Sequence, residues 1–88
     1  MASFRRRLDG VMIRQVVEDI LLLDTESGQV HQLNPTASLI WRKCEDAQSA
    51  EVIAELLEME FDVEHDIALK DVLETLSRLQ ALDLVVEA

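Results

Sequence analysis

The chain has 88 residues, 49% of them hydrophobic, with 18 acidic against 8 basic side chains and a formal net charge of −10. That length supports one compact domain with one core and is too short for two. The longest apolar run, Ile20 to Leu23, is only four residues long, and Met1-Ala2-Ser3-Phe4-Arg5-Arg6-Arg7 has no apolar segment behind its basic residues. Neither a membrane-spanning helix nor a secretory signal is expected. A single cysteine, Cys44, cannot form an internal disulfide, which suits a reducing compartment, so a cytoplasmic location is expected.

Residues 1–8 read as a flexible basic tail and residues 9–88 as the single domain. Strands are expected at Val11–Val17, Asp19–Asp24 and Gln29–Leu33. The first turn has no glycine and rests on the adjacent acids Glu18 and Asp19. The second contains Ser27-Gly28, where glycine tolerates a positive φ. Asn34-Pro35 then reads as an N-cap followed by proline at the first helical position, where its missing N–H costs nothing.

Helices are expected at Pro35–Cys44, Ala50–Phe61 and Asp66–Leu82. In the first, Ala37, Ile40, Trp41 and Cys44 recur at i, i+3, i+4 and i+7 and should face the core. Ser49 should cap the second, whose stripe is Ile53, Leu56, Leu57 and Phe61. The third carries Leu69, Val72, Leu73, Leu76 and Leu79, each large side chain contributing about 1.5–3 kcal/mol when fully buried.

No catalytic motif is legible. There is no Gly-rich phosphate loop, no Cys-x-x-Cys and no His-Glu-x-x-His. His31 and His65 stand 34 positions apart without neighbouring cysteines, so no metal site is expected. Cys44 has no histidine placed to activate it and reads as a small buried hydrophobe. Glu51, Glu55, Glu58 and Glu60 read as a solvated helix face. The expectation is a non-enzyme without metal or organic cofactor.

The order of elements, together with Leu21 to Gly28, Leu33-Asn34-Pro35-Thr36-Ala37-Ser38-Leu39-Ile40-Trp41, Glu60-Phe61-Asp62-Val63, Asp71 to Leu79 and the closing Leu84-Val85, resembles the PqqD-like family over residues 8–86. Three positions depart from the family pattern: Val30 where an aromatic is common, and Ala37 and Asp83 where glycine is common. Asp adopts the left-handed conformation at moderate cost, so the last helix should still end at Asp83.

The resemblance implies an α+β, winged helix-turn-helix-like domain with a three-stranded antiparallel sheet followed by three helices. It also implies a recognition element, a peptide chaperone for ribosomally made and later modified peptides. In such domains the leader segment of the precursor lies as an added antiparallel strand beside the third strand, in a groove closed by the third helix. Carried onto this chain, the peptide-binding residues are Gln29, Val30, His31, Gln32 and Leu33 on the strand, with Lys70, Leu73, Glu74 and Ser77 on the helix. The implied second partner is a modifying enzyme such as a radical SAM maturase or a leader peptidase. An enzyme-docking module that touches no peptide is one competing reading, and a winged-helix nucleic-acid binder is another.

Charge separates these readings. Residues 1–43 hold six basic and five acidic groups, whereas residues 44–88 hold two basic (Lys70, Arg78) and thirteen acidic groups, giving about +1 and −11. Nucleic-acid affinity comes chiefly from neutralising phosphates, so the helical half opposes it. No nucleic-acid or membrane partner is expected. A mobility-shift titration with duplex DNA at moderate salt should show no salt-sensitive binding; micromolar affinity that falls steeply with added salt would contradict this.

Overall fold

The computed structural model describes residues 2–88, which form six strands and three helices. The strands are β1 (Ser3–Arg6), β2 (Val11–Val16), β3 (Asp19–Asp24), β4 (Val30–Leu33), β5 (Gln48–Ser49) and β6 (Val85–Glu87); the helices are α1 (Pro35–Lys43), α2 (Ala50–Phe61) and α3 (His65–Ala81). They build two antiparallel sheets, one ordered β2-β3-β4 and the other β5-β1-β6.

The expected three-stranded sheet and three helices are present, with ends shifted by a residue or so. The second sheet is an addition. Its centre is the segment read from sequence as a loose tail: Phe4 faces Gln48 on one side and Glu87 on the other. Three arginines in a row disguise this strand, because its apolar signal is Phe4 alone. Two of the arginines, Arg6 and Arg7, are put to structural use instead. Arg6 lies over the Trp41 ring, 5.0 Å from its centroid, and its backbone N–H donates to the Cys44 carbonyl at 2.7 Å.

Arg7 joins the two sheets. Its guanidinium meets Asp24 at the end of β3 at 3.2 Å and Glu26 at 3.3 Å, and it donates to the Asp83 carbonyl. Asp24 also accepts backbone N–H bonds from Glu26 and Ser27, so one carboxylate closes the β3–β4 turn and anchors the N-terminal segment. The Arg7 hydrogen bond holds the Asp24 pKa below the ordinary value, despite partial desolvation.

The core sits between the β2-β3-β4 sheet and the helices. Ile20 and Leu22 project from β3, and Ala37, Ile40, Trp41 and Cys44 from α1, all buried as their spacing predicts. From α2 come Ala50, Ile53, Ala54 and Leu57, and from α3 Ala68, Val72, Leu76 and Leu79. Phe61 and Leu73, expected in the helical stripes, remain exposed at 39% and 51%. Trp41 has no exposed surface, and its indole N–H donates to the Leu84 carbonyl at 3.0 Å, meeting the rule that a buried polar group needs a partner.

Helix ends follow local chemistry. Asn34 and Ser49 cap α1 and α2 by accepting from the N–H groups of Ala37 and Val52. After α3, Asp83 takes a φ of 59°, as expected of this glycine-like position. Its N–H donates to Gln80 and that of Leu84 to Leu79, a Schellman motif. At the α2–α3 junction His65 Nδ1 lies 2.8 Å from a Glu58 oxygen, a contact that raises the imidazole pKa.

The β2–β3 turn is the strained point. Val17 holds a φ of 57° while 89% exposed, in a region that disfavours β-branched residues. Such a backbone costs about 1–3 kcal/mol, more than the ~1 kcal/mol of extra chain entropy that glycine loses on folding. Val17→Gly should therefore leave the melting temperature unchanged or raise it, whereas Val16→Gly within β2 should lower it.

Asp24 generates a pH prediction. Its pKa is lowered in the fold, so its stabilisation is complete above the unfolded aspartate value of about 3.9 and is lost as pH falls through the lower folded value. Asp24→Asn should melt earlier than the parent at neutral pH, and the gap measured by thermal denaturation should close as the pH drops below about 4.

Candidate functional site

β4 is one of the two edges of the β2-β3-β4 sheet. Which of its backbone groups are free follows from the ladder. The Asp24 N–H donates to the Gln29 carbonyl, and the Thr25 N–H donates to the Gly10 carbonyl on the β2 side. Backbone bonding alternates along an antiparallel pair, so Leu22·His31 and Ile20·Leu33 exchange bonds. Val30 and Gln32 consequently turn their N–H and C=O groups outward, toward open space. Gln29 immediately precedes the strand, and Gly28, at a φ of 75°, brings the chain round to it.

The strand is held firmly at its far end. Leu33 is buried, its carbonyl accepts the Ser38 hydroxyl at 2.9 Å, and the Asn34 cap begins α1 directly. Gln32 donates from its side-chain amide to Asp19 at 2.7 Å, fixing one side chain on the opposite side of the sheet from Leu33.

Beside this edge lies an open groove of about 470 Å³. One wall is β4 from Val30 to Leu33, continuing through Asn34 and Ala37; the other is the last turn of α3 with Arg78 and Leu79, and Leu82 just after it. Its floor is apolar, with Leu33, Ala37 and Leu79 all buried, while Leu82 at 37% and Val30 at 62% exposure form an apolar rim. A second recess of about 240 Å³ continues along α3 between Asn34, Thr36 and Ala37 on one side and Asp71, Glu74, Thr75 and Arg78 on the other. Arg78 lines both, so the two form one path from the sheet edge up the helix.

The structure brings together Val30, His31, Gln32 and Leu33 from the sequence-derived set and places Glu74 on the second recess. Gln29, Lys70, Leu73 and Ser77 line neither. The α3 wall lies one residue, about 100°, round the helix from the expected flank. Burial of Val72, Leu76 and Leu79 sets that rotation, turning Asp71, Thr75, Arg78 and Leu82 toward β4. Leu79 and Arg78 carried a signal in sequence, an apolar residue beside a cation in an acidic helix, but spacing alone assigned Leu79 wholly to the core.

Catalytic groups are not assembled in this groove. Cys44 lies elsewhere, fully buried, and burial pushes its thiol up to about 11. His31 lies on the groove wall and His65 at the α2–α3 junction. Among the described residues no group of three or more His, Cys, Asp or Glu side chains could hold a metal ion. No helix among them is long and apolar enough to cross a membrane.

Two solved structures resemble the chain closely. One is described as lasso peptide synthetase B1 complexed with the leader peptide, with 31% sequence identity and a TM-score of 0.81, covering 94% of this chain and 96% of that one. The other, TbiB1 in complex with the TbiA(beta) leader peptide, shares the fold at 22% identity and a TM-score of 0.80, covering 92% and 93% of the two chains. No curated protein matches significantly in sequence. Residues 19–85 match the PqqD family, described as coenzyme PQQ synthesis protein D, and the chain belongs to that family.

Proposed function

We propose that this chain binds the leader segment of a ribosomally made precursor peptide as an added strand along β4 and presents it to a modifying enzyme, without catalysing a reaction itself. The observation that carries this reading is the free edge of Val30 and Gln32 above an apolar groove closed by α3. An extended peptide satisfies the outward N–H and C=O groups with its own backbone, which supplies affinity. Alternate side chains then enter the groove over Leu33, Ala37, Leu79 and Leu82, which supplies selectivity. Gln29 to Leu33 form the strand side of the proposed site, with Arg78, Leu79, Leu82 and Glu74 as the helix side.

The structure described as containing lasso peptide synthetase B1 and the leader peptide supports this partner class, since the resemblance spans nearly the whole chain. The buried, protonated Cys44 thiol supports a purely binding role. A peptide handled in this way is made on cytoplasmic ribosomes, which supports that location. The partner enzyme is proposed as a maturase of the radical SAM class or a leader peptidase.

Proline substitution tests the edge directly, because proline without its N–H is tolerated on the solvent side of an edge strand. Val30→Pro and Gln32→Pro should retain the circular dichroism spectrum but weaken a fluorescent leader peptide by about tenfold or more, since each removes one peptide bond partner and its ring obstructs the added strand. His31→Pro, which breaks a bond to β3, should disturb the fold. Leu82→Asp should weaken the peptide more than Leu73→Asp does, because only Leu82 lines the groove. Undiminished affinity in both edge prolines, with the fold retained, would overturn strand addition and favour a docking module.

A further inference from the structure

The β2-β3-β4 sheet has a second free edge at β2, and the peptide reading leaves it unused. In β2 the bonds to β3 come from Met12, Arg14 and Val16, as the Thr25 to Gly10 bond sets the phase, so Val11, Ile13 and Gln15 present their backbone outward. The Val11 N–H is taken by the Leu8 carbonyl at 3.3 Å; the remaining outward groups are open to another strand. Natural edges are usually guarded by proline, several charges or a bulge. This six-residue strand, Val-Met-Ile-Arg-Gln-Val, has no proline and one charge, and exposes Met12 at 62%, Ile13 at 49% and Val16 at 44%.

We propose that β2 pairs with β2 of a second copy of this chain, about a two-fold axis through Ile13. The sequence of the strand favours itself as partner. Bonding groups must meet bonding groups, so the axis falls at Ile13 or a position two residues in register away. With Ile13 on the axis, two Ile13 residues exchange both backbone bonds, each Gln15 N–H reaches a Val11 carbonyl, and each Arg14 stands beside Met12 of the other copy. A shift that brought the two Arg14 residues face to face would oppose like charges. The same pairing is isologous and closes at two copies.

Charge points to the same edge. The acidic excess lies in residues 44–88, whereas the only charge in β2 is the positive Arg14, so the copies meet where the chain is least acidic. On the side of the sheet away from Leu22, a shallow apolar depression of about 520 Å³ bordered by Met12, Leu21, Leu23 and Val30 runs to the axis, and pairing joins the two depressions into one surface. The result is a six-stranded sheet ordered β4-β3-β2-β2-β3-β4, with both β4 edges free at its ends. Each dimer therefore offers two sites of the kind proposed above.

Sedimentation velocity of the full chain without peptide tests this inference independently of leader binding. The wild type should double its mass with rising concentration. The dimer should strengthen with added NaCl, because two chains of formal charge −10 repel and salt screens that repulsion. Ile13→Pro removes the outward N–H on the axis and should be monomeric with an unchanged circular dichroism spectrum. Ile13→Lys, which leaves the backbone intact and sets two cations together, should also be monomeric. Val30→Pro should dimerise as the parent does. A wild type that stays monomeric at millimolar concentration and high salt, folded Ile13 variants that dimerise normally, or loss of the dimer in Val30→Pro would each overturn the proposal.

Discussion

The hydrogen bond from the Trp41 indole to the Leu84 carbonyl, made between groups with no exposed surface, positions both walls of the groove. Trp41 belongs to α1, which continues from β4 through the Asn34 cap. Leu84 directly follows the Schellman turn that ends α3. The contact therefore links the strand wall to the helix wall across 43 residues. A buried indole N–H without an acceptor costs about 1–3 kcal/mol, so this alignment is favoured over others of similar apolar packing. Arg6 lies over the face of the same ring, giving the N-terminal strand a part in the same alignment.

Rigidity at β4 matters because an added strand gains only from backbone groups already set in place. The turn below the strand is closed by Asp24, and the end above it is tied through Ser38 and Asn34. On the reading proposed above, the backbone of β4 needs little ordering when a peptide arrives, which lowers the entropic cost of association. The groove is shallow and open, a form suited to an extended chain more than to an enclosed small molecule. Its apolar floor and the apolar rim of Val30 and Leu82, with Gln32 and Arg78 beside them, suit alternating side chains.

Much of the fold was legible because local signals agreed with one another. Asn34-Pro35, Ser49 and the stripe of Ala37, Ile40, Trp41 and Cys44 each state their structure within a few residues. The second sheet was not legible, since β1, β5 and β6 are short and each depends on partners far along the chain. Arg5, Arg6 and Arg7 read as a solvated run, yet Arg6 meets Trp41 and Cys44 and Arg7 meets Asp24, while Arg5 stays exposed. Val17 in a left-handed turn is a tertiary override of its own preference, and the absence of glycine there concealed the geometry. At the groove, the strand wall was legible from its position between Gly28 and Asn34. The helix wall depended on the rotation of α3, which a one-residue change in phase alters completely and which spacing alone does not fix.

The placement of Cys44 gives the molecule an internal reporter. It is the sole thiol, it has no exposed surface, and its carbonyl accepts the Arg6 N–H, so the segment carrying β1 lies against the cap of α1 that holds it. A soluble alkylating reagent reaches the sulfur only when this packing opens, and only the thiolate reacts. The rate of labelling thus measures how often the packing around Cys44 opens, set against the rate of global unfolding, in the same way that amide exchange separates local from global opening. A chain with no added probe can in this way report whether the β5-β1-β6 sheet opens as its own cooperative unit or together with the sheet that carries the groove.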